Sequence, residues 1–238
     1  MRKLNKVLMS LAAFVLLLGG VGQARAGAIG SRAALQALLG GPGTLEDFEA
    51  FSIASGSAVV TGVALLNSTT IVNGQGPGLV VPGVDFTFGT GLLQWDGAGY
   101  FGSPSKEILS GAPAGQPISI DWTASPVRAF GIDLRAFTGF GATATMLIFG
   151  PDHTTLIGTL PGVGLPDSGV PLFVGWEDAG GIGKVSFTQL GQPWSPIIDN
   201  LEFGGTASVP EPTALTLLGI GLAGMAGYGW RRRKQAVA

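Results

Sequence analysis

The chain has 238 residues, a formal net charge of −2, 41 glycines, 15 prolines and no cysteine. The missing cysteines exclude disulfides, thiolate zinc centres and thiol nucleophiles, and the density of turn formers predicts many short strands joined by tight turns. The near-neutral total hides a division, since between Arg32 and Glu202 five bases stand against fourteen acids, a balance of −9, which argues against binding nucleic acid.

Arg2, Lys3 and Lys6 precede an apolar stretch from Val7 to Gly20 and then Ala24-Arg25-Ala26. That order describes a secretory signal peptide, so residues 1–26 read as a leader cut by signal peptidase after Ala26, with Ala24 and Ala26 as the small residues of the site. No pair of adjacent arginines precedes the apolar stretch, which favours general secretion over the twin-arginine route. Residues 27–208 form the exported body, of a size ordinary for one domain.

Ser31 is placed to cap a short helix over Arg32 to Leu39, ended by Gly40 and Gly41. An acidic segment follows, Leu45 to Phe51, containing Glu46, Asp47 and Glu49. Trp95-Asp96-Gly97-Ala98-Gly99-Tyr100 reads as a glycine-rich loop, which makes Trp95 and Tyr100 the candidate glycan contacts, flat rings available to stack on sugars. Trp122, in an alternating stretch, is assigned to the core. Trp176 and Trp194 are the remaining tryptophans.

From Val127 onward a period of two dominates. Phe130, Ile132 and Leu134 share one face and Asp133 and Arg135 the other. Thr145 to Phe149 and Thr155 to Leu160 flank Gly150-Pro151-Asp152-His153 as a hairpin, and Lys184 to Gln189 sets Val185 and Phe187 against Ser186 and Thr188. The pattern predicts an all-β, antiparallel β-sandwich with a short N-terminal helix. His153 is the lone histidine and sits in the predicted turn, as a solvated residue rather than a catalytic base; a Ser-His-Asp arrangement would have to use it. The acids are scattered, so no local motif singles out a glycosidase pair, and the glycine-rich turns lack the Lys and Ser/Thr of a phosphate loop.

In Ile197-Ile198-Asp199-Asn200-Leu201-Glu202-Phe203, alternation places Asp199 on the face of Ile197, Leu201 and Phe203, the expected core face. A carboxylate there needs partners. Two solutions stay open: backbone amides of a neighbouring turn, or a structural Ca²⁺ shared with Glu46, Asp47 or Glu49, which would join the first and last strands.

The tail has three parts. Val209-Pro210-Glu211-Pro212 is stiff and extended, because each proline fixes its own φ and biases its predecessor. Ala214 to Trp230 is an uncharged run of 17 residues, which as a helix spans about 25 Å, the short limit for a transmembrane segment. Arg231, Arg232, Arg233 and Lys234 form a basic stop that stays cytoplasmic and leaves the body outside. Gly219, Ala223 and Gly227 give the run one small-residue face.

These three parts in this order resemble the PEP-CTERM sorting signal of exported bacterial proteins, over residues 209–234. The resemblance implies a Gram-negative source, recognition of Pro210, Glu211 and Pro212 by an exosortase, a membrane-embedded transpeptidase-like enzyme, and a transient membrane anchor. Phe173 to Trp176, Ile182 to Phe187 and Ile197 to Phe203 are similar to the closing strands of jelly-roll, carbohydrate-binding-like domains, which implies that fold for the body. The expected function is that of a noncatalytic cell-surface or extracellular-matrix protein, with exosortase, signal peptidase and exopolysaccharide as partners. The alternative is a secreted polysaccharide hydrolase, distinguished by two carboxylates converging in an aromatic-lined cleft.

Overall fold

The computed structural model describes residues 26–88, 93–110, 117–136, 142–166, 170–189 and 196–206. The leader up to Arg25, Trp194 and the tail, with its sorting motif, apolar run and basic cluster, lie outside the described residues. Among the described residues no helix is long and apolar enough to cross a membrane.

Among the described residues the elements are β1 (Ala26–Ile29), α1 (Arg32–Leu39), β2 (Thr44–Glu46), β3 (Ala58–Thr61), β4 (Leu65–Leu66), β5 (Val84–Phe88), β6 (Leu93–Asp96), β7 (Glu107–Ser110), β8 (Ile118–Trp122), β9 (Val127–Arg135), β10 (Ala142–Phe149), β11 (Leu156–Leu165), β12 (Leu172–Ile182), β13 (Lys184–Gln189) and β14 (Ile197–Thr206). They form two antiparallel sheets. The larger runs β1-β12-β9-β14-β7-β6-β3, with β2 also on β14, and the smaller runs β11-β10-β13-β8-β5-β4.

The all-β antiparallel expectation therefore holds, and so does the alternation that carried it. Phe130, Ile132 and Leu134 of β9 and Val185 and Phe187 of β13 all lie in the shared core, and the stretches either side of Gly150 pair as the β10–β11 hairpin. The two sheets meet through aromatic rings: Trp122 of the smaller sheet packs 5.2 Å from Phe130 and 6.0 Å from Phe203 of the larger.

Helix α1 forms where its caps predict. Ser31 Oγ accepts the Ala34 N–H at 3.2 Å and Gly40 ends the helix at φ 79°, a conformation that costs glycine little. The helix lies on the outer face of the larger sheet, where Leu35 packs with Ile29, Ala129 and Phe173. Gly131 of β9 permits this approach, because a Cβ there would run into the Phe173 ring.

One expectation about β14 is corrected. Asp199 pairs with Asp133 but Glu202 pairs with Gly131, so β14 spends three residues where β9 spends two. This is a β-bulge, with Asn200 at φ 47°, a region asparagine tolerates. A bulge inverts the alternation downstream. Ile198, Leu201 and Phe203 enter the core, while Asp199 stands with Asp133 on the outer face.

Candidate functional site

The outer face of the larger sheet carries the densest polar chemistry among the described residues. Asp96 pairs across the β6–β7 ladder with Glu107, Ile108 pairs with Ile198, and Asp199 pairs with Asp133. Following these registers, Asp96, Glu107, Asp199 and Asp133 form one row across four adjacent strands, each step about 4.8 Å. The first three are 1%, 1% and 3% exposed.

Each end of the row has its own cation. Arg135, two residues along β9 from Asp133, forms a buried ion pair with Glu107, and burial lowers its pKa while Asp199 raises it. At the other end Arg32 of α1 bonds Glu202 at 2.9 Å, Asp133 at 3.1 Å and the Asn200 carbonyl at 2.9 Å, and lies over the Phe173 ring. Gln36 and the Gly43 N–H also donate to Glu202. Burial alone would raise the Glu202 pKa, but these donors together hold it below the usual carboxylate range. The cluster lines a cleft of about 310 Å³ and fastens α1 to the sheet.

The carboxylates proposed for calcium are each occupied separately. Glu46 turns inward and accepts the Phe48 N–H at 2.8 Å and the Val81 N–H at 2.6 Å, with burial pushing its pKa up to about 7 against those amides. Glu49 pairs with Lys106 Nζ at 3.2 Å, and exposed Asp47 accepts the Glu49 N–H. Asp199 accepts from the Ser105 hydroxyl at 2.5 Å and from the Asn200 N–H at 2.7 Å. Among the described residues no three such side chains gather into a metal-binding group. The strand that carries Glu46, β2, is joined to the last strand by backbone pairing, with Leu201 opposite Glu46.

Trp95 requires a correction. It lies in β6 and not in a loop, is fully buried, stacks on Phe51 at 4.7 Å and donates its indole N–H to the Phe48 carbonyl at 3.2 Å. The glycines that made the segment look like a loop begin only at Gly97, so Trp95 is the core end of a strand. Tyr100 does sit in the following turn, 42% exposed and edge-on to Phe101 at 4.6 Å. Trp122 is in the core as expected. His153, in its turn, bonds Asp121 at 3.0 Å through Nδ1.

The row predicts an unusual pH dependence. Burial raises Asp96 to about 6 against its Gln94 hydrogen bond, and raises Asp199 to about 6. Raised acids bind their protons more tightly in the folded state, so their stabilisation is complete below about pH 4, their unfolded value, and is lost as pH rises through the folded values. The melting temperature is expected to fall between pH 4 and pH 7. Asp96→Asn imitates the protonated acid and keeps the acceptor for Gln94, so it should flatten this slope, by up to about 3 kcal/mol over the range. A wild-type curve that rises with pH over this window would refute the assignment.

These features define a class: an all-β body of two antiparallel sheets with a short helix laid on the outer face of the larger one. Within the chain, residues 208–234 match the PEP-CTERM protein-sorting motif. The chain thus carries that motif and is an exported protein sorted through its C-terminus. No curated protein matches it significantly. Among solved structures it is similar to the crystal structure of a glycoside hydrolase family 43 arabinoxylan arabinofuranohydrolase from Bacillus subtilis in complex with cellotetraose, at 20% identity and a TM-score of 0.27. That likeness covers 42% of this chain and only 21% of the other, and at this TM-score it carries no argument.

Proposed function

We propose that the chain is a noncatalytic cell-surface or extracellular-matrix protein of a Gram-negative bacterium, sorted and processed by an exosortase at Val209 to Pro212. The observation that carries this reading is the PEP-CTERM match at residues 208–234. The basic leader and the Arg231 to Lys234 cluster support the same orientation, with both charged ends cytoplasmic and the body outside. The apolar run then acts as a transient anchor, and the jelly-roll-like body associates with exopolysaccharide through exposed aromatic surface such as Tyr100.

The hydrolase alternative draws less support from the site. Its two best-placed carboxylates, Asp96 and Glu107, are each 1% exposed, whereas glycosidic chemistry needs both to reach a sugar. Mass spectrometry of membrane and secreted fractions tests the sorting reading. The wild-type product should lack Arg231 to Lys234 and begin at Gly27, and Glu211→Ala should accumulate at full tail length in the membrane. Identical tail ends in both proteins would remove the processing role of the motif.

A further inference from the structure

The larger sheet brings the two ends of the body to one place. β1 begins at Ala26 opposite Asp178 of β12, β12 ends at Ile182 opposite Val127 of β9, and β14 ends at Thr206 opposite the same Val127. Because β1 and β9 both run antiparallel to β12, and β14 runs antiparallel to β9, the chain enters and leaves at the same end of the sandwich. The smaller sheet turns there as well: Trp122 N–H donates to the Gly183 carbonyl and Thr123 N–H to the Gly83 carbonyl, while Gly183 N–H donates to the Phe149 carbonyl.

The tethers at this end are short. From Thr206 to Ala214, where the apolar run begins, the chain advances eight residues, at most about 28 Å when fully extended. From Gly20, the end of the leader's apolar stretch, to Ala26 it advances six, at most about 21 Å. The headgroup layer takes up roughly 5 to 8 Å of either span. Neither tether is long enough to let a folded body turn its other end to the bilayer.

We infer that the end formed by the Thr123–Pro126 turn, the Pro151–Thr155 turn and the start of β1 is the membrane-facing surface of the precursor, apposed to phospholipid headgroups while the tail is anchored. This rests on the membrane anchoring proposed above. Charge is not what holds it there. Arg128 and Lys184 at this end are outnumbered by Asp121, Asp152 and Asp178, so covalent tethering does, and the apposition is insensitive to salt.

The absence of cysteine from the chain makes the test direct. The chain from Gly27 onward, with its tail intact, is reconstituted into phosphatidylethanolamine–phosphatidylglycerol vesicles, carrying a fluorophore on Ser125→Cys at this end or on Val170→Cys at the other, where Val170 is 87% exposed. Lipids with a nitroxide on the headgroup should quench the label at 125 and leave the label at 170 bright, at low and high salt alike. A flexible Gly-Ser insertion of about 20 residues between Thr206 and Val209, adding a reach of about 25 Å, should abolish the difference. Vesicle-bound protein with equal quenching at both positions, or a difference that survives the insertion, overturns the inference alone. Protein recovered apart from the vesicles overturns the anchoring with it.

Discussion

Replacing Trp95 with alanine should cost the body about 3 to 5 kcal/mol, the range for deleting a large aromatic from a packed core. The side chain is fully buried, stacked on Phe51 and edge-on to Phe48 at 6.2 Å. Its loss leaves a cavity between β6 and the Phe48–Phe51 segment and also strips the Phe48 carbonyl, a buried acceptor, of its indole donor. For a domain of this size the melting midpoint should drop by about 6 to 20 °C. Tyr100→Ala, in the exposed turn only five positions later, should change stability by less than about 0.5 kcal/mol. The contrast decides how polysaccharide binding is to be tested. Loss of binding in Trp95→Ala would report unfolding, whereas loss in Tyr100→Ala, with the melting curve unchanged, would report a contact. Thermal melts of both variants check the first claim, and an unperturbed Trp95→Ala midpoint would refute it.

Local signals were legible in the sequence and long-range registers were not. Ser31 and Gly40 announced both ends of α1 because caps act within one helical turn. The alternation in β9 and β13 announced which side chains enter the core because a pleated strand enforces it. Trp95 misled because glycines immediately after a strand resemble those of a loop, and only the Phe48 and Phe51 rings, some 45 positions away, show where the strand ends. Asp199 misled through the bulge at Asn200, since one inserted residue reverses every later side chain. Asp133 and Arg135 were correctly placed outward, yet nothing local states that β14 and β7 bring Asp199 and Glu107 into line with them. The row exists only in the sheet order. The sorting motif lies at the opposite extreme, a contiguous signal that must be readable in an extended chain and therefore is readable in the sequence.

The ion pair that Glu107 of that row makes with Arg135 yields the second large effect. Glu107 and Arg135 are 1% and 2% exposed, and each is the other's ion-pair partner across β14, which lies between their strands. Removing one member leaves the other charged in a site poor in water, which costs about 3 to 5 kcal/mol for buried pairs. Glu107→Leu should therefore be severely destabilised, since Arg135 is left with only the more distant attraction of Asp199. Arg135→Met should be comparably damaged, since Glu107 then joins Asp96 and Asp199 with no cation among them. The double variant Glu107→Leu, Arg135→Met removes both charges and keeps apolar volume, and by the same principle should recover most of the loss. A double-mutant cycle on urea unfolding free energies measures this coupling. Single losses that simply add in the double variant would show that the two side chains act independently. Recovery would mean that the pair contributes little net stability and that its members are kept in place mainly by the penalty for separating them.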